Sequence, residues 1–70
     1  MDKNFDPYWK AIEMKAVNFI SGIHWTGVYF ADEATGKAFK KVCNENGYRT
    51  RAEQPMVDGT FQVQYHHYQD

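Results

Sequence analysis

The first regular pattern along the chain is a stripe of apolar residues with helical spacing. Asp6 can cap free backbone N–H groups and Pro7 suits the first helical position, so the pair marks a helix start. Gly22 suits the left-handed conformation in which many helices end. The pattern therefore predicts a helix over residues 7–21. Its apolar face is expected to contain Trp9, Ile12, Ala16, Phe19 and Ile20.

A second helical stripe follows an acidic start signal. Asp32 is expected to cap this helix, with Glu33 in the first turn, and Gly47 to stop it. These signals predict a helix over residues 33–46. Gly36 costs about 1 kcal/mol within it relative to Ala, so it is either a neutral surface position or the site of a close backbone approach. The apolar stripe contains Ala34, Ala38, Phe39, Val42 and Cys43.

Three segments have the composition and alternation of β-strands. Residues 23–30 are β-branched and aromatic on both faces, which is typical of a strand covered on both sides. Residues 48–53 alternate between small or aromatic and charged positions. Residues 60–68 alternate most clearly, with apolar rings and Val on one face and glutamines on the other. Asp58-Gly59 supplies the turn between the last two strands.

The element order α-β-α-β-β predicts one small α+β domain over residues 1–70. A strand, crossover helix, strand and hairpin form a split β-α-β unit, which is half of a ferredoxin-like fold. We expect a three-stranded mixed sheet in which the last strand lies between the other two, antiparallel to both. The second helix is expected to cover the face that bears Val28, Phe30, Tyr48, Phe61, Val63 and Tyr65.

The opposite face of this sheet carries a mixture of aromatic, guanidinium and amide groups. Aromatic and arginine side chains are typical of protein interfaces, and rings on an open sheet also stack the bases of single-stranded nucleic acid. Alternatively, the first helix covers this face and its rings belong to the core. Alternation along the strands assigns to this face the candidate binding residues Trp25, Tyr29, Arg49, Arg51, Gln62, Gln64 and His66.

Composition and charge narrow the classes of function. The chain has 70 residues, of which 43% are hydrophobic and 17% aromatic, so large rings must fill a small core. A formal net charge of −1 argues against a general nucleic-acid binder and equally against an acidic DNA mimic. One cysteine excludes an intramolecular disulfide. With no leader-like or membrane-spanning apolar segment in the sequence, we expect a cytoplasmic protein with no membrane partner.

Catalytic and metal-binding signatures are missing from the sequence. His66 and His67 are adjacent on a strand, so they point to opposite faces and cannot bind one metal together. Cys43 lies on an apolar helical stripe, which is typical of a small core residue. There is no G-x-S-x-G, P-loop or G-x-G-x-x-G motif. The sequence therefore predicts a non-enzymatic protein without metal or cofactor.

The middle of the chain resembles a known family. The residues 28–34 (VYFADEA), followed by Ala38-Phe39, Gly47-Tyr48, Asp58-Gly59 and residues 61–63 (FQV), are similar to the central unit of the regulator of ribonuclease E activity B family. The similarity covers about 40 of the 70 residues. The resemblance implies a protein that binds and inhibits another protein. The chain lacks the acidic extensions of that family and the second half of its domain, and it begins with an additional helix.

We therefore expect a small protein-binding module that inhibits or regulates a larger enzyme or complex. Its leading contact residues are Trp25, Tyr29, Arg49 and Arg51. A phage or mobile-element antagonist of a host defence system, such as an anti-CRISPR or anti-restriction protein, fits the same description. The alternative function is binding of single-stranded nucleic acid on the same face. A third possibility is a homodimer joined through this face.

Overall fold

The chain forms a sheet with both helices packed on one side of it. The computed structural model describes residues 4–69 and belongs to the predicted α+β class. The sheet has four strands within those residues, where the sequence analysis predicted three. The elements in chain order are α1 (Pro7–Glu13), β1 (Asn18–Ser21), β2 (Trp25–Phe30), α2 (Glu33–Glu45), β3 (Thr50–Pro55) and β4 (Phe61–His66).

The strands are arranged in the order β1-β2-β4-β3, and each neighbouring pair is antiparallel. The predicted position of the last strand is confirmed, since β4 lies between β2 and β3. Val63 of β4 pairs with Val28 of β2, and Tyr65 pairs with Thr50 of β3. The strands β2 and β3 are thus parallel to each other and are joined by α2, as the crossover rule anticipates.

The prediction of one helix over residues 7–21 is wrong beyond Glu13. Lys15 has a φ of 68°, which ends the helical path, and the four residues Asn18–Ser21 form β1. Gly22 does not end a helix but closes the β1–β2 hairpin, donating its N–H to the Trp25 carbonyl at 2.7 Å. A ladder with β2 competes with local helix formation here because β-branched and aromatic residues fit a pleated sheet.

The shortened helix α1 also buries a different face from the one predicted. Asp6 caps it as expected, accepting from the Tyr8 N–H at 2.9 Å. Pro7 and Ala11 are buried, whereas Trp9 and Ile12 are exposed. The predicted stripe fails because residues 16–20 no longer continue the helix. In β1 the neighbouring residues Phe19 and Ile20 point to opposite faces of the sheet, instead of sharing one face of a helix.

The second helix agrees closely with its prediction, because its start and stop signals are local. The Asp32 carboxylate accepts from the Thr35 N–H at 2.7 Å, and Gly47 has a φ of 84° just beyond the end. Phe39 and Cys43 are buried as expected. Ala34 and Ala38 of the predicted stripe are exposed instead. The helix rests on the sheet through Gly36, where Phe61 approaches its backbone.

The strand β3 starts and ends two residues later than predicted, and it contains an irregularity. Its register with β4 shifts between Arg51 and Gln54, and Ala52 has a φ of 55°. Alternation in residues 48–53 predicts Glu53 on the same face as Arg51, which is wrong, because Glu53 forms an ion pair with Lys40 of α2 at 2.7 Å. The last strand is shorter than its predicted range of 60–68 and covers Phe61–His66.

The core lies between the two helices and one face of the sheet. Helix α1 lies on that same side, because Ala11 belongs to the core and the ring of Tyr8 is 5.0 Å from the ring of Phe19. The first helix therefore does not cover the opposite face. The buried apolar residues are Ala11, Val28, Phe30, Phe39, Cys43, Phe61, Val63 and Tyr65.

Candidate functional site

The side of the sheet turned away from both helices, here called the open face, is organised by the cross-strand register. One row of paired residues crosses all four strands. Ile20 pairs with Gly27, Gly27 with Gln64, and Gln64 with Arg51. Residues that pair across antiparallel strands point to the same face, so this row lies side by side on the open face. The neighbouring rows contain Trp25 with His66, and Tyr29 with Gln62 and Gln54.

The centre of the open face is a contact between Arg51 and Trp25. The guanidinium carbon of Arg51 lies 4.0 Å from the centre of the Trp25 ring, and that of Arg49 lies at 6.0 Å. Arg51 also donates from Nε to Gln64 Oε1 at 2.7 Å. Within residues 4–69 it forms no ion pair with a carboxylate. The Trp25 ring and the Gln64 amide therefore orient the Arg51 guanidinium, which remains exposed and can bind a carboxylate of a partner.

Histidine and tyrosine rings extend the aromatic surface around Trp25. The His66 ring is 4.8 Å from Trp25, edge to face, and 5.7 Å from Tyr68. His24 stacks on His66 at 6.3 Å between ring centres. His67 turns to the other side of the sheet, where its Nε2 lies 2.7 Å from Thr26 Oγ1. The two adjacent histidines thus have different surroundings, as strand alternation predicted.

Glutamine side chains support this surface instead of lying free on it. Gln62 is only 7% exposed, donates to the Tyr29 hydroxyl at 3.0 Å and accepts from Gln54 at 3.1 Å. The Tyr29 ring lies across Gly27, where a side chain would contact Tyr29 and Gln62. Of the predicted contact residues, Gln62 is therefore a buried support for Tyr29. Trp25, Arg49, Arg51, Gln64 and His66 remain at least partly accessible.

A groove of about 490 Å³ runs across the open face beside Trp25. Gly27 forms part of its lining, and Arg51 with Gln64 provides a polar end. Ile20 and Ile23, which are 58% and 86% exposed, provide an apolar end. Neither isoleucine is among the predicted contact residues: the helix predicted over residues 7–21 includes Ile20, and Ile23 begins the strand predicted over residues 23–30. The signal that could have located them is the pair Ser21-Gly22 between the two isoleucines, which also fits a hairpin turn.

A second cavity, of about 560 Å³, lies beside α2 and is lined by three lysines together with Asn44, Glu45 and Glu53. Two of these lysines are already neutralised, since Lys37 pairs with Glu33 at 3.1 Å and Lys40 with Glu53 at 2.7 Å. Exposed pairs of this kind are typical of a solvated helix surface. We therefore regard the open face as the better candidate site.

The single thiol and the metal-ligating side chains of residues 4–69 are the alternative candidate sites. Cys43 is fully buried, and burial raises the pKa of its thiol to about 12, so the thiolate is not formed near neutral pH. Among residues 4–69, no three His, Cys, Asp or Glu side chains are close enough to hold a metal ion. Neither helix described here has the length and apolar character needed to cross a membrane.

Comparisons with known proteins do not place the chain in a family. No family model matches the sequence, and no curated protein or solved structure matches the chain. The resemblance to the regulator of ribonuclease E activity B family accordingly stays a prediction.

Proposed function

We propose that this protein is a non-enzymatic binding module that recognises another protein through the open face. The observation that carries the proposal is the pairing of Arg51 with the partly buried Trp25 ring on a sheet face that neither helix of residues 4–69 covers. Tryptophan and arginine are the residues most enriched among interface hot spots. Trp25 is fixed in β2, and Arg51 is held over its ring. The two side chains therefore lose little conformational entropy when a partner binds.

The charge of this surface indicates the kind of partner. Arg51 has no carboxylate partner within residues 4–69, the rows beside it contain amides and rings, and Ile20 lies at the far end of its own row. A carboxylate on a partner protein can satisfy the guanidinium, while apolar side chains of the partner cover Ile20 and Ile23 at the other end of the groove. The complementary surface is therefore apolar with an acidic group at one side.

Such binding favours a regulatory or inhibitory role. A domain of 70 residues that covers part of a larger protein can exclude that protein's substrate or another partner without doing chemistry itself. A standard interface buries about 800 Å² on each partner. The four strands of the open face would have to supply most of that area.

Affinity purification from the native host, followed by mass spectrometry, tests the proposal. The bait is the wild-type chain, with Arg51→Glu and Trp25→Ala as loss variants and Lys41→Glu as the control. Lys41→Glu reverses a charge at an exposed position of α2, on the side of the sheet opposite the open face. We expect the same partner to be recovered with the wild type and Lys41→Glu, and to be lost with both open-face variants. Recovery of that partner with Arg51→Glu at the wild-type level would contradict the proposal.

Binding of single-stranded nucleic acid on the same face is the second candidate function. It is favoured by the continuous aromatic surface of Trp25, His66 and Tyr68, because base stacking is tolerant of sequence. Fluorescence anisotropy with labelled mixed oligonucleotides separates the two functions. Micromolar binding that weakens steeply with salt and is lost in Arg51→Glu would favour nucleic acid. The glutamine-rich outward face of β4 and the net charge of −1 favour a protein partner.

A further inference from the structure

The two outer strands of the sheet differ in how their free edges are protected. The β3 edge contains a register shift, a left-handed residue at Ala52, a terminal proline at Pro55 and the charges of Arg51 and Glu53. These are the features by which natural sheets prevent pairing with another chain. The β1 edge is short and its ladder is irregular at Val17, but Asn18–Ser21 have none of these features of β3. It consists of Asn18–Ser21, which are neutral and end in a tight hairpin.

The hydrogen-bond pattern shows which backbone groups of β1 face the free edge. The Gly22–Trp25 bond closes the hairpin, and bonded and non-bonded pairs alternate along an antiparallel ladder. Ile20 therefore bonds toward β2, while the N–H and C=O groups of Phe19 and Ser21 point away from it. No backbone group elsewhere in residues 4–69 bonds to them. The β1 edge thus presents a short row of donors and acceptors ready to pair.

We propose that β1 pairs antiparallel with β1 of a second copy of this chain, around a two-fold axis at Ile20. In this register Ile20 lies opposite Ile20 of the second copy, as a non-hydrogen-bonded pair with closely spaced side chains. Phe19 of each copy exchanges both backbone hydrogen bonds with Ser21 of the other. The strand is therefore complementary to itself, and the dimer doubles the four-stranded sheet.

Charge and exposure both favour a second copy as the occupant of this edge. Around a two-fold axis a charged residue is placed close to its own twin and repels it, yet residues 16–23 contain no charge. The side chains that would meet are apolar and accessible: Ile20 is 58% exposed and Val17 is 56% exposed. A neutral, apolar and self-complementary edge is a better match for its own copy than for a charged segment.

Helix α1 adds the area that a four-residue strand does not supply. It lies beneath β1, as the contact between the rings of Tyr8 and Phe19 shows. A two-fold axis perpendicular to the sheet keeps α1 and its copy on the same side, next to the axis. Trp9, Tyr8 and Ile12 are 65%, 44% and 41% exposed on this short helix. Their burial between the two helices would bring the contact toward the roughly 800 Å² per partner of a stable interface.

The proposed dimer and the proposed function both involve Ile20, which lies at the β1 edge and at the apolar end of the groove, but their principal contacts differ. Dimerisation depends on the free edge of β1, whereas partner recognition depends on Trp25 and Arg51. The paired sheets would place two open faces on one continuous surface, which would strengthen binding to a repeated or dimeric partner. Arg51→Glu is expected to leave the dimer intact, so failure of one proposal does not imply failure of the other.

Sedimentation equilibrium of the purified chain tests the dimer directly. We expect the wild type to show twice the 8.2 kDa monomer mass. Ile20→Lys should return the chain to the monomer mass, because it places two cations on the axis. Val57→Lys is the matched control, since Val57 is fully exposed in the β3–β4 turn, and it should remain dimeric. Circular dichroism melts verify that both variants are folded.

Disulfide trapping provides a second measurement that does not require the variant to break the interface. Ile20→Cys should oxidise readily to a covalent dimer, because the β-carbons of a non-hydrogen-bonded pair are close enough for a disulfide. Ile23→Cys, in the exposed turn, should not form a covalent dimer. The buried Cys43 should stay unmodified in both variants. A wild-type chain that stays monomeric up to about 1 mM, the range of weak association, would overturn the proposal. So would a dimer that persists in Ile20→Lys.

Discussion

The backbone of α2 comes so close to the sheet at Gly36 that the ring of Phe61 occupies the space of a side chain. A methyl group added to Gly36 would lie 3.2 Å from Phe61 Cε2 and would overlap Cδ2. Phe61 is only 4% exposed and is held in the core, so its ring has little room to move. The glycine that looked unfavourable for a helix is therefore required by the packing of that helix.

Gly36→Ala should destabilise the protein although alanine is the better helix former. Overpacking a core costs about 1–3 kcal/mol, and the gain in helix propensity offsets about 1 kcal/mol of it. We expect a net loss of about 1 kcal/mol, and at most about 2 kcal/mol, in the free energy of unfolding measured by urea denaturation. In a Phe61→Leu background the loss should shrink, because the ring that causes the overlap is gone.

The control for this prediction is Ala38→Gly, which changes the same two residue types at an exposed position of α2. It should lose about 1 kcal/mol through propensity alone. If Gly36→Ala instead raised the stability, helix propensity would be the dominant effect, and the close approach to Phe61 would have no energetic importance.

The contact between Arg51 and Trp25 should be measurable as a coupling energy. An exposed cation–π pair contributes about 0.5–1 kcal/mol. A double-mutant cycle of Arg51→Ala and Trp25→Ala, followed by urea denaturation, should return a coupling in that range. Lys41→Ala combined with Trp25→Ala should show none, since Lys41 lies on the opposite side of the sheet. If the Arg51–Trp25 cycle also gave a coupling energy of zero, the guanidinium would not be held by the ring.

The thermal stability should fall in acid partly because of Asp32. Its hydrogen bonds from Thr35 lower the pKa of this carboxyl from the ordinary 3.8. A lowered pKa in the folded state gives stabilisation that is complete above 3.8 and is lost as the pH falls through the folded-state pKa. Asp32→Asn should therefore show a smaller decrease of melting temperature between neutral and strongly acidic pH than the wild type.

Asn remains a good helix cap, so Asp32→Asn should melt near the wild-type temperature at neutral pH, whereas Asp32→Ala should melt lower. Asp58 behaves in the same way, since hydrogen bonds from Thr60 lower its pKa. The double variant Asp32→Asn, Asp58→Asn should have the flattest acid profile. If wild type and double variant had superimposable acid profiles, the Asp32 and Asp58 carboxylates would not contribute to the pH dependence of the melting temperature.

Cys43 should be unreactive in the folded protein. Burial raises its pKa to about 12, and the side chain has no exposed surface. A thiol reagent at mildly alkaline pH should therefore label it only at the rate of unfolding, and at full speed in concentrated urea. Val57→Cys supplies the comparison, because its exposed thiol should react at once while Cys43 stays protected. Rapid labelling of both thiols in the native state would contradict the burial.

The second helix, the two central strands and their order were predictable because their signals are local and mutually consistent. Asp32 and Gly47 mark the ends of α2 in the sequence, and alternation in residues 60–68 identifies β4. The crossover rule then places β4 between its neighbours. By these steps the sequence alone located Trp25, Tyr29 and Arg51 on the same side of the sheet.

The tertiary structure decided the parts that depend on competition between local and distant contacts. Residues 18–21 have helical spacing and strand composition at once, and only the ladder with β2 selects the strand. That choice places Ile20 on the open face and creates the free β1 edge. It also turns α1 toward α2, so the open face stays uncovered. Spacing along the chain cannot rank these outcomes, because the free energy that separates them comes from contacts made only after the sheet has formed.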